Sequence, residues 1–397
     1  MIVLDKLRAS WLKSPHAMMA AEALGADHMR FVGGAVRDSL MNLPISDIDV
    51  ATDHLPDKAM ELLKAKGFRV IPTGIEHGTV TAILESGTLE VTTLRRDIET
   101  DGRRAVVAFT DEWQADAARR DFTINAIYAS IDGTLYDPYD GIADIEQGCV
   151  RFIGKAEDRI REDALRILRL FRFHAHYGRV ALEDAALLAV ENTLSLIGGL
   201  SVERIASELN KLIIARNPIP VLKMMQGLGV LECCMRGYAL DLDATERLIA
   251  NETAYHFQPK ALRRLLALVG QSTTELMVSW NCSKKAQNHA TMCEEILANL
   301  GSSPTPMMEW EKLIYKNNHE AVIDCYLILN IGEIEPNIIE ALKDWDIPIF
   351  PIRGSDMLDL GYEAGPELGK IMKDLEEYWF DKDFEPSFEA LIGLLRK

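Results

Sequence analysis

The chain has 397 residues, of which 48% are hydrophobic and 26% charged, and its formal net charge is −18. This length exceeds what one compact core usually organises, so we expect two or more domains. The composition is typical of a folded globular protein. The absence of a long apolar run argues against a membrane span, and the charged N-terminus argues against a secretion signal.

The cysteine pattern and the charge distribution give information about the cellular compartment and the binding partners. None of the six cysteines forms a C-x-x-C pair, which favours free thiols in a reducing cytoplasm. Overall acidity argues against a nucleic-acid partner. However, residues 151–300 carry 19 Lys and Arg against 17 Asp and Glu, so a local basic surface is still possible there.

The predicted elements change character near residue 150. Residues 1–25 have the pattern of one amphipathic helix. Alternating or short apolar runs then predict strands at residues 30–32, 48–51, 68–71, 80–84, 89–93 and 106–109. Helices are predicted at residues 36–40 and 55–66, the second with Asp53 as its N-cap. Beyond residue 150 helical periodicity dominates, so the expected class is α+β.

The first informative segment is Phe31-Val-Gly-Gly-Ala-Val-Arg-Asp38, followed by Ser46-Asp-Ile-Asp-Val50. Glycines between a strand and a helix allow an anion to approach the backbone, although an ordinary tight turn has the same pattern. Asp47 and Asp49 flank Ile48, and strand periodicity puts both carboxylates on one face. Such a pair is either solvated or holds a cation, and the preceding Gly-Gly turn favours a metal ion beside a nucleoside triphosphate.

Two further segments are rich in arginine. In Arg119-Arg-Asp-Phe-Thr-Ile-Asn-Ala126, arginines could reach phosphates, although a helix cap with nearby arginine is also common. In residues 161–173, Asp163, Arg166 and Arg169 are three positions apart, which predicts one face of a continuous helix over residues 157–177. A carboxylate beside a guanidinium could pair with the edge of a base, or could simply form an intrahelical salt bridge.

In this order the segments resemble the class II nucleotidyltransferases of the CCA-adding enzyme and bacterial poly(A) polymerase superfamily. GGAVRD with DID resembles the first motif of this family, RRDFTINA the second, DPYDG the third and EDALRILR the fourth. Residues 201–209 resemble the fifth. The resemblance implies that Asp47 and Asp49 bind catalytic Mg²⁺, and that Gly33, Gly34 and Arg37 hold the triphosphate.

The resemblance also implies roles around the rest of the nucleotide. Asp121, with Arg120 and Asn125 nearby, would recognise the ribose. The run Asp101-Gly102-Arg103-Arg104 belongs to a stretch, residues 95–104, that resembles the flexible loop of the family.

The same resemblance implies a protein template for the base. Asp163 and Arg166 would pair with cytosine or adenine, Arg169 would assist, and Glu162 would help to fix the helix.

Fold and domains follow as expectations from this resemblance. A small mixed β-sheet nucleotidyltransferase head would occupy residues 1–150. An all-helical neck with the base-recognition helix would occupy residues 151–260, and a helical body and tail, expected to bind tRNA, residues 261–397.

The subgroup is indicated by Gly74-Ile-Glu-His-Gly-Thr-Val80, which resembles the CCA-adding members, and by an acidic last quarter of the chain. We therefore expect template-independent addition of C, C and A to tRNA 3′ ends, with CTP and ATP as substrates, Mg²⁺ as cofactor and no membrane partner. The alternative is a poly(A) polymerase that adds A tracts to RNA. A minor alternative is a non-catalytic RNA-binding protein.

Overall fold

The computed structural model describes residues 6–45, 47–101, 104–300, 307–329 and 336–395. The chain divides into two compact units, Met1–Gly237 and Tyr238–Lys397. The predicted three-part division at residues 150 and 260 stays a prediction. Within the described ranges, no helix combines the length and apolarity needed to cross a bilayer.

The first unit contains the predicted mixed sheet. Its strands are β1 (Met29–Val32), β2 (Asp49–Thr52), β3 (Arg69–Gly74), β4 (Thr79–Leu84), β5 (Gly87–Thr93), β6 (Arg95–Asp101), β7 (Arg104–Phe109), β8 (Tyr128–Ala129) and β9 (Leu135–Tyr136). Seven of them form one sheet in the order β3-β4-β5-β2-β1-β8-β9, while β6 and β7 form a separate hairpin. Only the β2–β5 pairing in the seven-stranded sheet is parallel.

Helices cover the sheet and make up the rest of the first unit. They are α1 (Pro15–Leu24), α2 (Gly34–Leu40), α3 (Pro56–Ala65), α4 (Trp113–Ala118), α5 (Gly141–Gln147), α6 (Ala156–Glu162), α7 (Leu165–Tyr177), α8 (Asp184–Thr193), α9 (Val202–Ile213), α10 (Ile219–Gly227) and α11 (Val230–Met235). Phe31, Val50 and Val91 are buried on neighbouring central strands. The predicted α+β class is confirmed.

The second unit is helical throughout its described residues. Its helices are α12 (Leu242–Ala254), α13 (Ala261–Val269), α14 (Thr273–Ser279), α15 (Lys284–Leu300), α16 (Met307–Lys316), α17 (His319–Leu329), α18 (Pro336–Asp344), α19 (Gly354–Asp359), α20 (Pro366–Asp381) and α21 (Phe388–Leu394). One core is centred on Trp310, whose ring meets that of Tyr326 edge-on at 4.9 Å. A second is centred on Trp379.

Two predictions at the start of the chain are wrong. The predicted helix over residues 1–25 is instead a short 3₁₀ helix, Ser10–Lys13, followed by α1. The break occurs because Pro15 has no amide hydrogen and fits only the first turn, which the Ser14 hydroxyl caps by accepting from the Ala17 amide. Asp53 does not cap α3: Leu55 precedes that helix, and the Asp53 carboxylate faces His28 instead.

The predicted loop over residues 95–104 is also wrong as secondary structure. Strands β6 and β7 pair antiparallel, with Asp101 opposite Arg104. Gly102 and Arg103, which join them, lie outside the described residues. Backbone hydrogen bonding between the two antiparallel segments extends the chain here, although the charged residues give no strand pattern in the sequence.

Candidate active site

Gly33, Asp49 and Arg120 lie together where β1 meets α2. Antiparallel pairing puts Val32 opposite Asp49, so the residue after β1 lies beside that carboxylate. Gly33 has a φ of 74°, and a Cβ added there would lie 3.4 Å from Asp49 Oδ2 and 3.9 Å from an Arg120 guanidinium nitrogen. Glycine therefore supplies both the left-handed backbone and the open space beside the carboxylate.

The Asp49 carboxyl has a raised pKa. Burial is the main cause that raises its pKa, to about 6, and the charges of Glu90 and Asp47 raise it further against the opposing effects of Arg120 and Arg37. Asp47 is exposed, whereas Ile48 between the two aspartates is buried. Two neighbouring carboxylates thus repel the charge on Asp49, and a bound cation would relieve that repulsion.

Sequence reasoning missed Glu90. The parallel register of β2 and β5 pairs it directly with Asp49. The sequence pattern predicted a strand at residues 89–93, but no sequence signal showed which strand would lie next to it. The predicted pair of carboxylates therefore has a third acidic neighbour.

A buried polar chain connects the predicted ribose residues with Arg37 and Arg169. Arg37 Nη1 donates to Asn125 Oδ1 at 2.6 Å, Asn125 Nδ2 donates to Asp121 Oδ1 at 3.0 Å, and Arg169 Nε donates to Asp121 Oδ2 at 2.7 Å. Burial opposes ionisation of Asp121, but Arg169, Asn125 and the Phe122 amide outweigh it and lower the pKa of the carboxyl. Asp121 is therefore a charged anchor.

Arg37 is itself tightly held. Its Nε and Nη2 atoms donate to the two carboxylate oxygens of Asp38 at 2.8 and 3.0 Å, and Nη2 also donates to the Tyr177 hydroxyl at 2.8 Å. The guanidinium carbon lies 4.4 Å from the centre of the Tyr177 ring. Protein groups thus engage much of its hydrogen-bonding capacity, and its contact with a triphosphate stays a prediction.

Arg120 is fixed by a buried carboxylate that sequence reasoning did not identify. It donates to Asp116 Oδ2 at 3.1 Å, and Asp116 also accepts from the Tyr128 hydroxyl at 2.8 Å and pairs with Arg119. Burial opposes ionisation of Asp116, but Arg120, Arg119 and Tyr128 lower its pKa to about 2. Asp116 lies on α4, four positions before Arg120, and this spacing was the available sequence signal.

The predicted helix carrying Asp163, Arg166 and Arg169 is broken. Helix α6 ends at Glu162 and α7 begins at Leu165, with Asp163 extended between them. The break occurs because the Asp163 carboxylate accepts from the Leu165 amide at 3.1 Å, a local bond that competes with helix continuation. Asp163 therefore does not share a helix face with the two arginines.

The partners of Asp163 and Arg166 are also distinct. Asp163 Oδ2 accepts from Arg204 Nη2 at 2.7 Å. Arg166 Nη1 donates to Glu162 Oε2 at 2.5 Å and to the carbonyl of Arg159 at 2.9 Å. The two side chains are thus separately anchored rather than bonded to each other.

A cavity of about 440 Å³ opens beside Arg204 on α9. Its lining consists of Leu165, Ser201, Glu203, Arg204, Ser207 and Glu208. The cavity therefore adjoins the predicted base-recognition residues through Arg204. This places the fifth family-like segment, residues 201–209, next to the fourth.

Comparison with protein families gives two matches. Residues 29–151 match the family described as "Poly A polymerase head domain", and residues 180–239 match "Probable RNA and SrmB- binding site of polymerase A".

Whole-chain comparisons are consistent with these matches. The chain is 35% identical over 378 residues to the mitochondrial CCA tRNA nucleotidyltransferase 1 of Danio rerio, covering 92% of this chain and 86% of that protein. It is 32% identical over 395 residues to the CCA-adding enzyme of Streptococcus pneumoniae serotype 19F, covering 92% of each. The solved CCA-adding enzyme of Bacillus stearothermophilus in complex with CTP superposes with a TM-score of 0.76 at 26% identity, covering 96% of this chain and 98% of that one.

Proposed function

The chain belongs to the family of CCA tRNA nucleotidyltransferases, and on that premise we propose that it adds C, C and A to tRNA 3′ ends from CTP and ATP. The reaction joins the terminal ribose 3′-hydroxyl to the α-phosphate of the nucleotide and releases pyrophosphate. The single observation that carries the proposal is Asp49 beside the Gly33 turn, with Asp47 and Glu90 near enough to raise its pKa.

Nucleotidyl transferases use a divalent metal, and the donors at this site suit a hard cation. Asp47 and Asp49 would hold it, with the Glu90 charge adding to the attraction. An all-carboxylate set favours Mg²⁺, the ion that we propose, since Mg²⁺ prefers oxygen ligands together with substrate phosphates. When bound, the ion would activate the attacking hydroxyl and neutralise charge on the leaving pyrophosphate.

The residues around Asp49 prepare the space for the triphosphate. Gly33 keeps the volume beside the Asp49 carboxylate free of a side chain. Arg120, anchored by Asp116, brings a positive charge to the same place without needing to reorganise. Arg37 contributes positive charge while it stays hydrogen-bonded to its protein partners. We propose that it also positions Asn125 for the ribose.

Nucleotide choice is proposed to depend on Asp163 and Arg166. A carboxylate accepts and a guanidinium donates hydrogen bonds, so together they can match the edge of cytosine or adenine. Arg204 and Glu162 hold the two groups in place before the nucleotide binds. Arg169 is proposed to act through Asp121, to which it is bonded.

A trimmed tRNA provides the test. The protein is incubated with Mg²⁺, labelled CTP and ATP, and either a tRNA that lacks its last three nucleotides or an unrelated RNA. We expect three additions to the tRNA that then stop, with the final A requiring ATP, and no incorporation by Asp49→Ala. Long A tracts on the unrelated RNA together with an inert trimmed tRNA would instead establish a poly(A) polymerase.

The proposed compartment is the cytoplasm. All six cysteines are free thiols, as expected in a reducing environment.

A further inference from the structure

His28, Asp53 and His54 form a compact group at the end of the head sheet that lies away from Asp49. Each offers one ligand atom, and these atoms all lie within 4.8 Å of one another. Among the residues with assigned positions, this is the one set of three or more His, Cys, Asp or Glu side chains that meets this spacing. The proposed nucleotidyl transfer gives this group no role.

The backbone holds the group rigidly. Met29 pairs with Thr52 across β1 and β2, so His28 and Asp53 follow as the next cross-strand neighbours. The Asp53 amide donates to the His28 carbonyl at 3.3 Å, and the Thr52 hydroxyl donates to the same carbonyl at 2.7 Å. The Thr93 hydroxyl donates to the carbonyl of His54 at 2.8 Å. Two strand ends therefore present the three side chains without a flexible loop.

A hydrogen bond to a backbone carbonyl determines which ring nitrogen of His54 carries the proton. Its Nε2 atom lies 2.8 Å from the Leu24 carbonyl at the end of α1, and only a protonated Nε2 can make that bond. In the neutral ring Nδ1 then carries a lone pair, and it lies 3.9 Å from Asp53 Oδ1. Two acceptors thus face each other, with the ring oriented by a carbonyl, as in histidines that bind metals.

His28 completes the set from the other side of the carboxylate. Its Nδ1 atom lies 2.9 Å from Asp53 Oδ2, and its ring stacks on that of His54 with centroids 5.0 Å apart. Gly25 allows this placement, since a Cβ there would lie 3.2 Å from His28 Cδ2. The His28 side chain is 56% exposed, so solvent could occupy a fourth coordination position.

From this geometry we propose that His28, Asp53 and His54 bind a zinc-class transition metal ion. Ligand atoms at tetrahedral angles around zinc lie about 3.3 Å apart. His54 Nδ1 and Asp53 Oδ1 lie 3.9 Å apart, and the 2.9 Å contact of His28 Nδ1 with Asp53 Oδ2 is a hydrogen bond whose proton the metal ion would replace. Two imidazoles and a carboxylate favour zinc, cobalt or nickel over magnesium. The site is separate from the catalytic carboxylates, because four strand residues from Asp49 to Asp53 span about 13 Å.

The experiment measures zinc binding to the full chain. Chelator-stripped protein is titrated with Zn²⁺ by calorimetry in millimolar Mg²⁺, and Co²⁺ is added in parallel to read the ligand field from visible absorption. We expect one Zn²⁺ per wild-type chain and a tetrahedral Co²⁺ spectrum. His28→Ala and His54→Ala each remove a ligand and should weaken zinc binding by roughly 100-fold, the upper end of the range for loss of a partner that supports a metal ligand. Asp53→Asn, which keeps the shape, should weaken it by about 10-fold or more.

Two controls separate this site from other zinc ligands. His77→Ala removes an exposed histidine of the same unit and should bind zinc as the wild type does. Asp49→Ala should lose nucleotide incorporation but keep the zinc site, whereas His28→Ala should keep Mg²⁺-dependent incorporation. Equal zinc affinity in wild type, His28→Ala and Asp53→Asn would overturn the proposal, and so would a wild type that binds no Zn²⁺ in Mg²⁺ buffer.

Discussion

Arg204 Nη2 donates to Asp163 Oδ2 at 2.7 Å, although the two residues are 41 positions apart. The carboxylate proposed to read the base is therefore held by α9, while Glu162 holds Arg166. Each polar group is oriented before a nucleotide binds, which reduces the cost of ordering it during recognition.

We expect Asp163→Ala and Arg166→Ala to reduce nucleotide selectivity more than tRNA binding. Losing one member of a paired set of base-edge hydrogen bonds costs about 1–3 kcal/mol of discrimination, which corresponds to a loss of roughly 5–150-fold. Incorporation of each of the four nucleotides on a trimmed tRNA, with tRNA affinity measured in parallel, checks this. Unchanged preference for CTP and ATP over UTP and GTP in either variant would remove the template role.

Arg204→Met should reduce the same selectivity, because Asp163 would lose its anchor. Both side chains of the pair are 25% exposed, so the loss should be smaller than that of Asp163→Ala, about 3–10-fold. The matched control is Lys211→Met, which removes an exposed cation from the same helix. Selectivity at the wild-type level in Arg204→Met would mean that Asp163 needs no support from α9.

Glu90→Gln should raise the metal concentration needed for half-maximal incorporation. Glu90 adds negative charge next to Asp49, and its removal weakens attraction for a divalent cation. We expect a shift of about 3–10-fold in the Mg²⁺ requirement, whereas Asp49→Asn should lower turnover on the order of 1,000-fold at any Mg²⁺ concentration.

Glu85→Gln serves as the control for Glu90, since it neutralises an exposed carboxylate in the turn between β4 and β5. If Glu90→Gln and Glu85→Gln need the same Mg²⁺ concentration for half-maximal incorporation, the charge of Glu90 does not contribute to binding of the ion.

Sequence patterns predicted the larger elements well, because their periods of two and 3.6 residues follow from which side chains are buried. Strands β1, β2, β4 and β5 were predicted to within one or two residues. Strands β8 and β9 were missed, since two residues each are too few to show a period. Strand β7 was predicted at residues 106–109, but β6 and its pairing with β7 were missed because the charged segment from residue 95 gives no apolar alternation.

The candidate site was predicted as a set of residues but not as a set of contacts. Asp47 and Asp49 stand out by spacing, whereas Glu90, Asp116 and Arg204 reach the site only through strand register and helix packing. The break at Asp163 depends on one side-chain bond to the Leu165 amide, which competes locally with helix propagation. Periodicity alone could not predict which of the two would form.

Asp116 should make the head sensitive to acid. Its pKa in the folded protein is lowered to about 2, so its stabilisation is fully present above the pKa of about 3.9 expected in the unfolded chain and is lost as pH falls towards 2. We expect Asp116→Asn to lower the free energy of unfolding at pH 7 by about 2–3 kcal/mol. Urea titrations at pH 7 and at acidic pH check this.

The control for Asp116 is Asp111→Asn, which changes an exposed carboxylate just before α4. The free energies of unfolding of the two variants should differ at pH 7 and become equal in strong acid. A constant difference across the range would show that the stabilisation by Asp116 does not depend on its charge.

In the second unit, His289 should make stability fall in alkaline solution. His289 Nε2 lies 3.0 Å from Asp324 Oδ2, and the hydrogen bond to Asp324, with a contact to Cys293, raises the pKa of the imidazole to about 10. A group with a raised pKa stabilises the folded state fully below its unfolded pKa of about 6.5, and this stabilisation is lost as pH rises through the folded value. Calorimetry under reducing conditions should therefore show the melting temperature falling by about 2–6 °C more between pH 7 and 10 in the wild type than in His289→Gln.

The control is His256→Asn, which changes an exposed histidine whose positive φ asparagine tolerates, and its melting temperature should change with pH as that of the wild type does. A His289→Gln variant with the full alkaline loss would show that the imidazole is already neutral at pH 7, so that the positive charge facing Asp324 comes from Arg263 at 3.1 Å and Lys260 at 4.0 Å.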